Sequence, residues 1–76
     1  MLHNMARGWL RQIRKMKGLS EKSAGDTVGV AQSIFHRYET GELTPSVATA
    51  KKIGAALGFD WTLFFTDDDE KERKRA

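Results

Sequence analysis

With 76 residues and no cysteine, the chain encloses one hydrophobic core and has neither disulfide staples nor thiolate metal sites, which excludes a second domain. At 39% hydrophobic and 30% charged it is too polar for a membrane span and too apolar to be disordered throughout. The net charge of +3 is uneven: residues 1–66 carry nine Lys/Arg against five Asp/Glu, a balance of +4, whereas 67–76 carry four against five, a balance of −1.

A folded unit is therefore expected over 1–66, followed by a charged tail over 67–76. Five positive residues and no acidic one lie between Arg7 and Lys17 (Arg7, Arg11, Arg14, Lys15, Lys17), a cluster that attracts nucleic acid or another anionic surface. The N-terminus has no apolar run of secretory length, so a cytoplasmic, nucleoid-associated location is expected. Apolar packing is the sole source of stability and is marginal at this length, which favours a homodimer.

Leu10, Ile13 and Met16, with Trp9 beside them, predict a first helix from about Ala6 to Lys17, with its arginines and lysines on the other face. Gly18 ends it and Ser20 is placed to cap the next. Ala24, Gly25 and Val28 predict a short second helix, within which glycine costs about 1 kcal/mol relative to alanine. A third apolar set, Val30, Ile34, Phe35 and Tyr38, follows directly after Gly29, so two short helices meet at a tight turn. Thr40 to Pro45 reads as a loop. Pro45 or Ser46 opens a fourth helix along Val47, Ala50, Ile53 and Leu57, which Gly58 stops. Asp60 is placed to cap a short fifth helix containing Trp61, Leu63, Phe64 and Phe65. The tail carries Asp67–Lys71, Asp69–Arg73 and Glu70–Lys74 pairs at i, i+4, and either extends that helix or frays. No stretch alternates with period two, so the fold class is all-α.

The helix pair over 21–39 has the layout that leaves one helix standing proud enough to enter a major groove. Gly25 would let the two helices approach, and Gly29 supplies the turn. With Phe35 and Tyr38 inward, the opposite face of the third helix (about 31–39) presents Gln32, Ser33, His36 and Arg37. Gln pairs with adenine N6 and N7, Arg with guanine O6 and N7, and Ser or His meets base edges or phosphates. Ile34, at the edge of the face, is placed to touch a thymine methyl.

The ordered set Leu10-Arg11-Gln12-Ile13-Arg14, Gly18-Leu19-Ser20, Gly29-Val30-Ala31-Gln32-Ser33, Arg37-Tyr38-Glu39-Thr40-Gly41, Pro45-Ser46 and Ala56-Leu57-Gly58 resembles the small lambda-repressor-like, or xenobiotic-response-element-type, transcriptional regulators. The ending Leu57 to Phe65 is similar to short regulators of Gram-positive bacteria and their phages or mobile elements. The resemblance spans about residues 8–65. It implies a five-helix domain that binds operator DNA, often as a dimer, with Gln32, Ser33 and Arg37 at base-reading positions and His36 on the same face. It also implies a structural salt bridge between Arg14 and Glu39, which removes Arg14 from the DNA-binding cations. Ser20, Glu21 and Thr40 fall at the backbone or groove edge, with Arg11 and Lys17 flanking. Three departures stand out. Glu21 replaces the family's usual glutamine and would repel phosphate, Gly25 replaces an alanine, and the loop after helix three is Glu42-Leu43-Thr44 where the family is often basic.

Trp9, Tyr38 and Trp61 read as core or interface residues, and Trp61, Phe64 and Phe65 as a candidate dimer seam. His3 and His36 have no ligand partners at metal spacing, so neither a metal nor another cofactor is expected. No nucleophile, base or phosphate-binding glycine loop is arranged for catalysis, and an enzyme is not expected. The reading is a sequence-specific DNA-binding regulator, a repressor, acting on a double-stranded operator. The alternative is a protein-interaction module of the same fold, antirepressor-like or antitoxin-like, that engages a regulatory protein partner. No membrane partner is expected.

Overall fold

A computed structural model of the chain describes residues 6–66. Expectations for His3 and for the tail over 67–76 lie outside the described residues.

Four α-helices follow one another: α1 Gly8–Met16, α2 Glu21–Val28, α3 Gln32–Thr40 and α4 Val47–Leu57. No strand occurs among the described residues. Three side-chain caps act where the sequence places them. Ser20 accepts from the Ser23 amide, Ser46 from the Thr49 amide and Asp60 from the Thr62 amide, each satisfying an otherwise open helix-end donor. The expected fifth helix is a 3₁₀ turn over Trp61–Phe65. Three residues per turn align Trp61 with Phe64 on one side, so Phe64 is buried, Trp61 is half-buried and Phe65 faces out.

The core gathers Leu10, Ala24, Val28, Phe35, Tyr38, Ala50, Ile53, Leu57 and Phe64 from every element. Leu10, Phe35, Ile53 and Leu57 are the largest fully enclosed side chains, each stabilising the fold by about 1.5–3 kcal/mol. Trp9 closes the end of this core edge-on against Phe59 at 5.2 Å and Phe64 at 5.3 Å. Edge-to-face ring pairs of this kind add about 0.5–1.5 kcal/mol each.

Two apolar positions are not where their spacing placed them. Met16 is 81% exposed and Val47 49% exposed. Six residues beyond Leu10, Met16 lies two-thirds of a turn round the helix. Arg14, at i+4, takes the inward position instead and is buried. No helix among the described residues is long and apolar enough to cross a membrane.

Candidate nucleic-acid interface

The turn between α2 and α3 sets the geometry of the site. Gly29 adopts φ +80°, a conformation side-chain-bearing residues rarely adopt, and the Val30 amide bonds back to the Gly25 carbonyl at 2.9 Å. A Cβ on Gly25 would stand 2.6 Å from the Val30 carbonyl oxygen, so the missing side chain is what lets the chain turn so tightly into α3. The close approach expected of Gly25 is thus made to the backbone of the turn.

Along α3, Phe35, Tyr38 and Glu39 are buried, whereas Gln32, Ser33, His36 and Arg37 are exposed. The four expected polar readers therefore share the outward face. Ile34 is half-buried and packs against the core, which limits what it offers outward. Thr40 is also only partly available, because its Oγ1 lies 3.1 Å from the Arg37 carbonyl oxygen and 3.2 Å from Glu42 Oε1. Glu42 also faces Arg37, with Oε1 3.9 Å from Nε, both side chains being more than half exposed. At that exposure the attraction is weak and leaves Arg37 free to reorient.

Arg14 donates from Nε and Nη2 to the two carboxylate oxygens of Glu39, and from Nη1 to the Leu19 carbonyl at 2.8 Å. The implied salt bridge is present, buried and two-pronged. Glu21 is engaged as well. Its Oε2 lies 2.7 Å from His36 Nδ1, so the carboxylate expected to repel phosphate faces an imidazole of α3. Burial works against ionisation of Glu21, but the hydrogen bond with His36 and the charges of His36 and Arg14 hold the carboxyl below its usual range. The same hydrogen bond, with the charge of Glu21 behind it, holds His36 above the usual imidazole value. Arg11, Arg14, Ser20, Glu21, Gln32 and His36 line one open groove between α1, α2 and α3.

Two members of the basic cluster are directed to other parts of the protein, although Arg7 also borders the groove. Arg7 is buried: Nη1 donates to the Tyr38 and Leu43 carbonyls, Nη2 donates to Thr44 Oγ1, and the backbone amide donates to the Glu39 carbonyl. It caps the C-terminal end of α3, where exposed carbonyls and the helix dipole favour a cation. No local pattern marks it, because its partners lie 31 to 37 residues away. Lys17 reaches Gly58 at the end of α4 and does not line the groove. Of the cluster, Arg11 is the exposed cation that borders α3.

The candidate seam is smaller than expected. Phe64 is 5% exposed and belongs to the core, with the Arg7 guanidinium 5.3 Å over its ring. Trp61 packs edge-on to Phe65 at 6.0 Å, and the Lys51 ammonium stands 5.3 Å over the Trp61 ring. Among the described residues, no group of three or more His, Cys, Asp or Glu could hold a metal ion.

A helix-turn-helix family model, HTH_3, matches residues 10–64. The chain is 40% identical over 63 residues to YqaF of Bacillus subtilis, an uncharacterized HTH-type transcriptional regulator, covering 83% of each protein. It is 32% identical to an uncharacterized HTH-type transcriptional regulator of Methanothermobacter thermautotrophicus, covering 79% of this chain and 90% of that one. The HTH-type transcriptional regulator PuuR of Escherichia coli is 24% identical, and the chain spans 36% of its length. Among solved structures, an HTH_3 family transcriptional regulator from Vibrio cholerae superposes with a TM-score of 0.67 at 30% identity, over 88% of this chain and 38% of that one. These relatives are regulators and not enzymes, in keeping with the absence of a catalytic arrangement expected from the sequence. The chain belongs to the HTH_3 family of helix-turn-helix transcriptional regulators.

Proposed function

We propose that the chain is a sequence-specific DNA-binding repressor whose DNA-binding unit lies within residues 1–66 and which inserts α3 into the major groove of an operator. The observation that carries this reading is the division of α3 into a buried face of Phe35, Tyr38 and Glu39 and an exposed face of Gln32, Ser33, His36 and Arg37. An α-helix fits the major groove, and these polar types complement base edges there. Gln32 and Arg37 are the principal base readers, with Ser33 and His36 beside them. Arg11, Ser20 and the edge residues Glu21, Ile34 and Thr40 lie along the groove margin. A homodimer joined through Trp61 and Phe65 would bring two copies of α3 to one operator, which requires half-sites spaced by about one helical turn or a multiple of it.

Selection of bound duplexes from a random library tests the reading. Enrichment of a short motif, repeated with two-fold symmetry, is the expected result. A second reading, a protein-interaction module of the same fold, is favoured by one observation: His36 and Arg37 each face an acidic side chain, Glu21 and Glu42. Absence of any enriched duplex at low salt would overturn the DNA-binding reading and favour that alternative.

A further inference from the structure

His36 and Glu21 sit on different helices, and the only hydrogen bond of the His36 ring among the described residues is made by Nδ1. The Glu21 side chain is 20% exposed and that of His36 56% exposed, so the carboxylate is the sheltered anchor and the imidazole the accessible end. The charged groups around them come from three elements. Arg7 lines the groove just before α1, Arg11 and Arg14 face it from α1, Glu21 from α2 and Glu39 from α3, and the charge of Glu42 acts on His36 from the loop after α3. Arg14 is committed to both oxygens of Glu39. With Arg14 so engaged, the Glu21 carboxylate is held by His36 Nδ1, and Arg11 is an exposed cation lining the same groove.

Protonation decides what Nε2 offers. A neutral ring that keeps its proton on Nδ1, toward Glu21, shows a bare lone pair at Nε2, which repels phosphate oxygens and the N7 and O6 acceptors of guanine. The imidazolium donates from both nitrogens. We infer that Glu21 and His36 act as one recognition unit, in which the Glu21 carboxylate holds Nδ1, Nε2–H donates to a lone-pair acceptor on duplex DNA, and binding takes up one proton from solvent at His36. The inference rests on the DNA-binding reading and assigns Glu21 as a positioning residue within it. The existing upward displacement of the His36 pKa lies in the same direction as the effect of the DNA polyanion.

The test uses the full chain and the duplex it selects, with affinity measured from pH 5.5 to 8.5 at fixed salt. Affinity of the parent is expected to fall as pH rises, by at most about tenfold per pH unit above the His36 pKa of the free protein. His36→Asn retains an N–H for Glu21 but does not titrate, and its profile is expected to be flat. Glu21→Gln is expected to move the midpoint to lower pH. In the parent, the His36 ring resonances are expected to titrate at higher pH on DNA than in the free protein. Selections repeated at pH 6 and pH 8 separate the two acceptors: a preference changed at one base pair identifies a guanine edge, and a uniform loss identifies a phosphate oxygen. A flat profile for the parent, or an unchanged His36 titration on DNA, overturns the inference while DNA binding stands. Failure to enrich any duplex at either pH overturns the DNA-binding reading and the inference with it.

Discussion

Arg7 and Arg14, each 7% exposed, both act on α3, one through its terminal carbonyls and the other through Glu39. Arg14→Ala would leave the Glu39 carboxylate buried without a counter-charge, at a cost of about 3–5 kcal/mol. Against a total stability of about 4–11 kcal/mol for a chain of this length, that loss brings the fold close to its limit. Urea titration at low temperature is expected to show a much lower midpoint for the variant. Replacing Arg7 by alanine removes the donor that satisfies three acceptors, and a loss of about 2–4 kcal/mol is expected in the same assay. The outward residues behave oppositely. Gln32→Ala and Arg37→Ala are each expected to weaken binding of the selected duplex by about 1–3 kcal/mol and to relax preference at one position, with the melting curve unchanged. The Glu21–His36 pair adds a pH signature to stability. The raised His36 pKa contributes fully below the ordinary imidazole value, and that contribution is lost as pH rises through the folded value. The lowered Glu21 pKa contributes above the ordinary carboxylate value and is lost as pH falls through the folded value. Melting temperature of the parent minus that of Glu21→Gln is therefore expected to peak between the two ordinary values and to shrink on either side.

Between elements, close approach is governed by glycine. Alanine at position 25 gains about 1 kcal/mol of helix propensity, yet its Cβ would meet the Val30 carbonyl at 2.6 Å, a backbone atom held by the turn itself. Displacing that carbonyl costs more than the propensity returns, so Gly25→Ala is expected to destabilise by about 1–2 kcal/mol net and to tilt α3. Thermal unfolding reads the sign: a variant that melts higher would mean that the Val30 carbonyl gives way to the added Cβ at little cost. The α2–α3 junction was legible in the sequence because its determinants are local: Ser20 before α2, Gly29 after it, and the apolar positions of α3 in register. Gly54 was not. Its importance comes from the Phe59 carbonyl, which an added Cβ would approach to 2.7 Å, and nothing in the run from Ile53 to Ala55 marks it. Arg7 and the Glu21–His36 pair were hidden for the same reason, since each acts across the fold. The outward face of α3 was readable from the inward positions of Phe35 and Tyr38, but its electrostatics were not, because Glu21 and Glu42 lie outside the helix they modify.

At the scale of the whole molecule, size and charge together argue for two copies on DNA. The principal extents are 32 × 25 × 23 Å, and the repeat of a major groove is about 34–36 Å, so under the proposed function one copy is of a size to cover one half-site. Its grip is thin. With Arg7 and Arg14 buried and Lys17 directed to the end of α4, Arg11 and Arg37 are the cations flanking the outward face of α3. Each neutralised phosphate contributes about −0.9 to the slope of log affinity against log salt, so with Arg37 on a base edge and Arg11 on phosphate the slope is about −1 for one copy and about −2 for two. The seam available to pair them is the exposed edge of the 3₁₀ turn, Trp61 with the 46% exposed Phe65, beside Lys51. A charge placed there is tolerated by the monomer, because Phe65 contributes little to the core, but it would be buried without a partner in a symmetric pair. Phe65→Glu is therefore expected to leave the melting curve near that of the parent, to abolish dimers in sedimentation, and to halve the salt slope on a two-fold symmetric duplex. A slope near −1 for the parent, insensitive to Phe65→Glu, would instead mean that a single copy reads its site and that the exposed aromatic edge does not pair copies on DNA.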